Sequence, residues 1–159
     1  MTSIKEAKYA DLASKYTLSP SEHLALAKSL GGECDVRRLL LSEDLSPDIA
    51  ESICLSKAFI DAGYQLPVTS FDGRPAKDTE GRAYVTSLSG WRSLLEKQLG
   101  TPKHIRSAHD LVGVHGIVMF QSNVKGHDDI VLWNANHAHL VPTCDFAEAR
   151  GGTFLWPLP

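Results

Sequence analysis

The stretch "SPDIAESICLSKAFIDAG" (46–63) has the spacing of an amphipathic helix with a carboxylate on its oily side. At about 100° per residue, Ala50, Cys54, Leu55, Ala58, Phe59 and Ala62 fall within one half of the helical wheel. Glu51 points to the centre of that half, between Ala58 and Ala62. A carboxylate there is unfavourable unless it has partners or lines a cleft. Desolvation raises its pKa, while the nearby helix N-terminus lowers it. One reading is a catalytic carboxyl held at a helix N-terminus. The plainer one is a glutamate in the first two turns that reaches solvent or a basic partner.

A second constellation is "GHDDIVLWNANHAH" (126–139). Here His127, Asp128 and Asp129 lead into a strand, and His137 and His139 follow it. Side chains alternate along a strand, so Asp129 shares a face with Val131 and Trp133, and Asp128 with Ile130 and Leu132. One acid of the pair therefore points inward. Trp133, Asn134 and His137 are the candidate substrate contacts. Trp133 or Trp91 could stack on sugar rings, although both also suit a core role. Neither histidine pair matches a recognised metal-ligand spacing, so no metal or other cofactor is expected.

The elements that must position these residues are readable. Residues 3–15 are amphipathic and predict a first helix. A second starts at Ser19, with Pro20 in its first turn and Glu22 completing a capping box, and ends at Gly31-Gly32. A short helix is expected over 35–42. Ser46 and Pro47 open the Glu51 helix, and Gly63 stops it. Residues 68–82 read as a surface loop and 83–86 as a short strand. A helix over 87–99 places Leu88, Trp91, Leu94, Leu95 and Leu99 at helical spacing. Strands are expected at 116–121, 128–135 and 152–158. Helices first and strands later predict one α+β domain spanning 1–159.

Composition narrows the function. The chain has 159 residues and a net charge of −3, which offers no electrostatic footprint for nucleic acid or an anionic membrane. No apolar run approaches the ~20 residues of a membrane span, so no membrane insertion is expected. The polar start "MTSIKEAKYADLASKY" is no Sec-type signal peptide, which predicts synthesis in the cytoplasm and leaves signal-independent export open. Cys34, Cys54 and Cys144 are an odd set without CxxC spacing and read as small buried hydrophobes rather than a disulfide framework.

Several pieces, in order, resemble the fourth family of type VI secretion amidase effectors. "SLGG" (29–32) resembles a glycine pair ahead of the active-site helix, and "LSKAFIDAG" (55–63) the tail of that helix. "AYVTSLSGWRSLLEKQLGTP" (83–102) resembles the next strand and helix. "GIVMF" (116–120), "SNVKGH" (122–127), "LWN" (132–134) and "GTFLWPLP" (152–159) resemble the closing strands. The resemblance implies a papain-like, NlpC-type fold with N-terminal helices packed on an antiparallel sheet. It also implies export and cleavage of peptidoglycan in a target cell's periplasm, with an immunity protein as partner.

The departures fall on the chemistry. The family's nucleophilic cysteine opens the helix in a Cys-x-Ile-Arg-Leu-Ser pattern. With Ile53, Leu55 and Ser56 in register, Glu51 takes that position. Cys54 could serve only after a helix shift of about three residues, and Cys34 lies too near the glycine pair. Counting back from "LWN" places Asp129 where the family has its histidine; matching "SNVKGH" instead gives His127 at the cost of an insertion. His137, His139 and Asp145 are candidates for the third polar residue. Two facing carboxylates are the minimum equipment of a glycosidase. The leading expectation is therefore a muramidase-like peptidoglycan hydrolase with Glu51 as acid and Asp129 as partner. The alternatives are a cysteine amidase using Cys54 and His127, with Asp128 as a further candidate, and a non-catalytic wall-binding or immunity-like module.

Overall fold

Alternation along three strands decides the main sheet. The structure, a computed structural model, describes residues 2–16, 25–26, 29–34, 48–67, 76–121, 129–134 and 152–159. Its strands are β1 (Thr2–Ser3), β2 (Tyr64–Gln65), β3 (Ala76–Lys77), β4 (Ala83–Tyr84), β5 (Lys103–Ile105), β6 (Gly116–Gln121), β7 (Asp129–Trp133) and β8 (Gly152–Pro157). Strands β5, β8, β6 and β7 form an antiparallel sheet in that order, with β7 at one edge. The register pairs Phe120 with Asp129 and with Thr153.

Ile117, Met119, Ile130 and Leu132 point to one side of this sheet, into a core shared with the helices. Val118, Phe120, Val131 and Trp133 point to the other, where Ile105, Leu111 and Leu155 join them. Period-two alternation in "GIVMFQ" and "DIVLW" thus feeds two hydrophobic clusters at once. Gly116 is required where β6 starts beside β8: a Cβ there would lie 2.3 Å from the Trp156 carbonyl oxygen.

Helices α2 (Asp48–Asp61) and α3 (Leu88–Leu99) cover the first side. Ser87 caps α3 by accepting from the Gly90 N–H at 3.0 Å, and Gly100 closes it at φ 90°. Trp91, Leu94 and Leu95 then fall on one stripe, and all are buried. Burying each such side chain contributes roughly 1.5–3 kcal/mol relative to leaving it exposed.

Two expectations need correction. The helix over 3–15 is instead β1, a 3-10 turn at Ile4–Glu6 and a short α1 (Tyr9–Ala13). Ala7 and Lys8 are extended, because Thr2–Ser3 pair in parallel with Tyr64–Gln65 and the Lys8 N–H donates to the Tyr64 hydroxyl. Those long-range bonds override the local helical preference. The surface loop over 68–82 contains β3, which forms a hairpin with β4. Its turn is built on Asp78, a buried carboxylate that accepts from the Glu80 and Arg82 backbone N–H groups, Arg82 Nε and the Tyr84 hydroxyl. β5, for which the sequence gives no signal, follows Pro102; three residues carry too little pattern, and pairing with β8 supplies the strand. The expected helix at 35–42 and the caps Ser19, Ser46 and Pro47 lie outside the described residues. No described helix is long and apolar enough to cross a membrane.

Candidate active site

Helix α2 carries Glu51, Leu55 and Phe59 at four-residue steps, so the carboxylate shares the stripe that faces the main core. Glu51 is only 4% exposed. The sequence expectation of an acid on the oily face is what the fold contains. On the outer side Lys57 and Asp61 form an ion pair.

The axial register of α2 is pinned. The Ser56 hydroxyl donates to the Ser52 carbonyl at 3.0 Å and accepts from the Val85 N–H at 2.9 Å. Trp91 Nε1 donates to the same Ser52 carbonyl at 3.1 Å. A slide of three residues, which the Cys54 reading needs, would break these contacts. Cys54 stays buried one turn further along the helix. Cys34 sits elsewhere, in a second cluster with Leu30, Ile53, Ala76 and Tyr84.

Asp129 opens the edge strand β7 and is fully buried. Strand alternation groups it with Val131 and Trp133, yet from the first position of β7 its carboxyl acts on Tyr16, which packs against the helix-covered core. Helix α2 packs against β7, which brings the two acid-bearing elements together.

Tyr16 identifies the place where these groups meet, and sequence reasoning missed it. Its hydroxyl is enclosed, and its ring packs against the main core. Burial pushes the phenol pKa well above its ordinary value; Cys54, Glu51 and Asp129, in that order, push it further. The backbone at Leu132 offsets this in part by hydrogen bonding. A phenol under the field of a thiol and two carboxyls remains protonated across the neutral range. The one available signal was spacing: Tyr16 follows the buried Leu12 by four residues, one helical turn.

The aromatic candidates serve packing. Trp91 is fully buried and its ring lies 5.4 Å from that of Phe59. Trp133 is 6% exposed, packs beside Phe120, and donates from Nε1 to the Leu111 carbonyl at 3.2 Å. Trp133 also lies four residues along β7 from Asp129, about 13 Å at a normal strand rise. The expectation of a sugar-stacking face at Trp133 or Trp91 is corrected on both counts. Asn134, one residue further, donates to the Tyr9 hydroxyl, and the Tyr9 ring stacks on His115 at 4.8 Å. Asn134 follows Asp129 by five residues, about 16 Å at a normal strand rise. His127, Asp128, His137, His139, Cys144 and Asp145 lie outside the described residues. Among the described residues no group of three His, Cys, Asp or Glu is placed to hold a metal ion.

Comparison with known proteins places this arrangement. Residues 52–156 match the family model Tae4, described as type VI secretion system amidase effector protein 4. The matched span begins one residue after Glu51 and includes Cys54 and Asp129. No curated protein sequence matches the chain. Among solved structures, Tae4 in the effector–immunity complex Tae4–Tai4 from Enterobacter cloacae superposes with a TM-score of 0.70 at 15% identity, covering 96% of this chain and 98% of that one. Tae4 alone from the same organism gives 0.69 at 15% identity over the full length of both. Tae4 from Salmonella typhimurium, bound to the Enterobacter cloacae immunity protein Tai4, gives 0.64 at 16% identity, again over both full lengths. The α+β architecture expected from sequence is thus the papain-like, NlpC-type fold of these effectors. With the fold shared along its length and the family model matching 52–156, the chain belongs to the Tae4 family of type VI secretion amidase effectors.

Proposed function

We propose that this protein is a secreted effector that hydrolyses peptidoglycan in a target cell's periplasm, and that it does so with carboxyl chemistry rather than a thiol. What supports the reading is that α2, which carries the buried Glu51, packs against β7, which opens on the buried Asp129, and that both carboxyls lie within electrostatic reach of the enclosed Tyr16 hydroxyl. The family points to an amide of the stem peptide as the bond cut. An ionised carboxylate takes a proton from water, and the water oxygen attacks the amide carbon. The second carboxyl, still protonated, gives its proton to the departing nitrogen, and the C–N bond breaks. Among the described residues, the groups that act on Tyr16 beside Cys54 are carboxyls, whose negative charge disfavours the thiolate that a nucleophile requires. A Tai4-like immunity protein would protect the producing cell.

Cleavage of the glycan strand by the same two residues is the second reading. What favours it is the identity of the groups, since a carboxyl pair is all that glycoside hydrolysis requires. Digestion of purified sacculi followed by mass analysis decides. Stem-peptide fragments with new amines and no new reducing ends are expected. New reducing ends would turn the assignment to the glycan. No release by the wild-type protein, or loss of activity in Cys54→Ala with Glu51→Gln still active, would overturn the carboxyl mechanism.

A further inference from the structure

Ser52 and Ser56 stand one turn apart on α2, and both residues are fully buried. A serine inside a helix that cannot reach solvent bonds back to the carbonyl four residues earlier. Ser56 does so: its hydroxyl donates to the Ser52 carbonyl at 3.0 Å and also accepts from the Val85 N–H. The Ser52 hydroxyl does not. It is enclosed, and it has no hydrogen-bond partner among the described residues.

The lock on α2 leaves that hydroxyl unused. Trp91 and Ser56 both donate to the Ser52 carbonyl, which any residue would supply. Alanine would fill the same space without a desolvated hydroxyl, so serine is the costlier residue here unless something polar reaches it. The residue before it is Glu51, whose Oε2 atom is also enclosed. Side chains at neighbouring helical positions diverge by about 100° and do not face each other. One water spans such a gap, accepting from the serine O–H and donating to the carboxylate. Internal waters hold their places through two to four such hydrogen bonds.

We propose that Ser52 is a positioning residue whose hydroxyl holds an internal water against the Glu51 carboxyl. The water gives the carboxylate a hydrogen bond, favours its ionised form and fixes its orientation. Among the described residues, the other titratable groups of this cluster are Cys54 on the same helix, Tyr16 beyond α1 and Asp129 on β7, and all are acids. The inference rests on the reading of Glu51 as a catalytic carboxyl and deepens it, by naming what holds that carboxyl in place.

The test reads the water and the carboxyl separately from turnover. A high-resolution crystal structure of the wild-type protein should show one water within about 2.7–3.2 Å of both Ser52 Oγ and a Glu51 carboxyl oxygen. Ser52→Ala keeps the backbone lock and therefore the fold. In that variant the water should be gone, and the melting temperature should fall by about 2–4 °C. The titration of the Glu51 carboxyl, followed by carbon-13 NMR, should move up by about one pH unit, because a hydrogen bond to the charged form is lost. Sacculus cleavage should fall about tenfold. No water on Ser52 Oγ in the wild type, a variant more stable than wild type, an unmoved Glu51 titration, or cleavage at the wild-type rate overturns the proposal. A wild type that cuts nothing, while the water and the titration behave as expected, would sink the hydrolase reading and leave the Ser52 assignment standing.

Discussion

Two buried acid sites in this molecule are built in opposite ways. At Asp78 every approach brings a donor: two backbone N–H groups, a guanidinium and a phenol. Burial pushes the Asp78 pKa up, but the bonds from Arg82, Tyr84 and Glu80 outweigh it and hold the carboxyl below its ordinary value. At Tyr16 the neighbours are Cys54, Glu51 and Asp129, acids gathered around another weak acid, and the phenol is pushed far up. The first arrangement stabilises a turn. The second sets titratable groups against one another, and under the function proposed above it is kept for chemistry.

The contrast breaks most sharply at Glu51. Glu51→Gln should lower sacculus cleavage by at least about 100-fold, the scale of a lost acid–base group. Its unfolding free energy should stay level or rise, because one acid leaves the buried group; urea titration measures it. Asp78→Asn should do the reverse. It leaves donors without an acceptor, lowering stability by about 2–3 kcal/mol, while the folded protein cuts at the wild-type rate.

The two sites also mark opposite ends of the pH scale. The Asp78 pKa is lowered in the fold from an ordinary value of 3.8, so its contribution is complete above that pH and is lost as pH falls through the folded value. The stability gap between wild type and Asp78→Asn should close on acidification and stay constant from pH 5 to 8. Tyr16 is raised from 10.0, so the unfolded phenol ionises first and the fold weakens as pH rises above that value. Tyr16→Phe should lose less stability than wild type above pH 10, a smaller effect read from alkaline melts. Smallest of all, Cys54→Ala should leave cleavage unchanged; a large loss would return the mechanism to sulfur.

The same contrast explains what could be read from sequence. Glu51 stood out because helical periodicity alone places it among Leu55, Phe59 and Ala58. β6 emerged with its observed bounds because "GIVMFQ" is buried on both faces. The strand expected over 128–135 is observed as Asp129–Trp133, so Asp129 fell inside the expected element and its exact start did not follow from the pattern. Tyr16 could not be linked to these residues, since three separate segments bring the group together. The Asp78 hairpin was hidden for a related reason: turn formers announce a loop, but a carboxylate that gathers four donors is a tertiary event. The failed helix over 3–15 shows the limit from the other side, where pairing with Tyr64–Gln65 outweighed a good amphipathic pattern.

Because Ser52, Ser56, Val85 and Trp91 lock α2 in place, what occupies position 51 is decided by one codon rather than by the scaffold. The double exchange Glu51→Cys with Asp129→His would then seat a sulfur and a ring nitrogen on an unmoved frame.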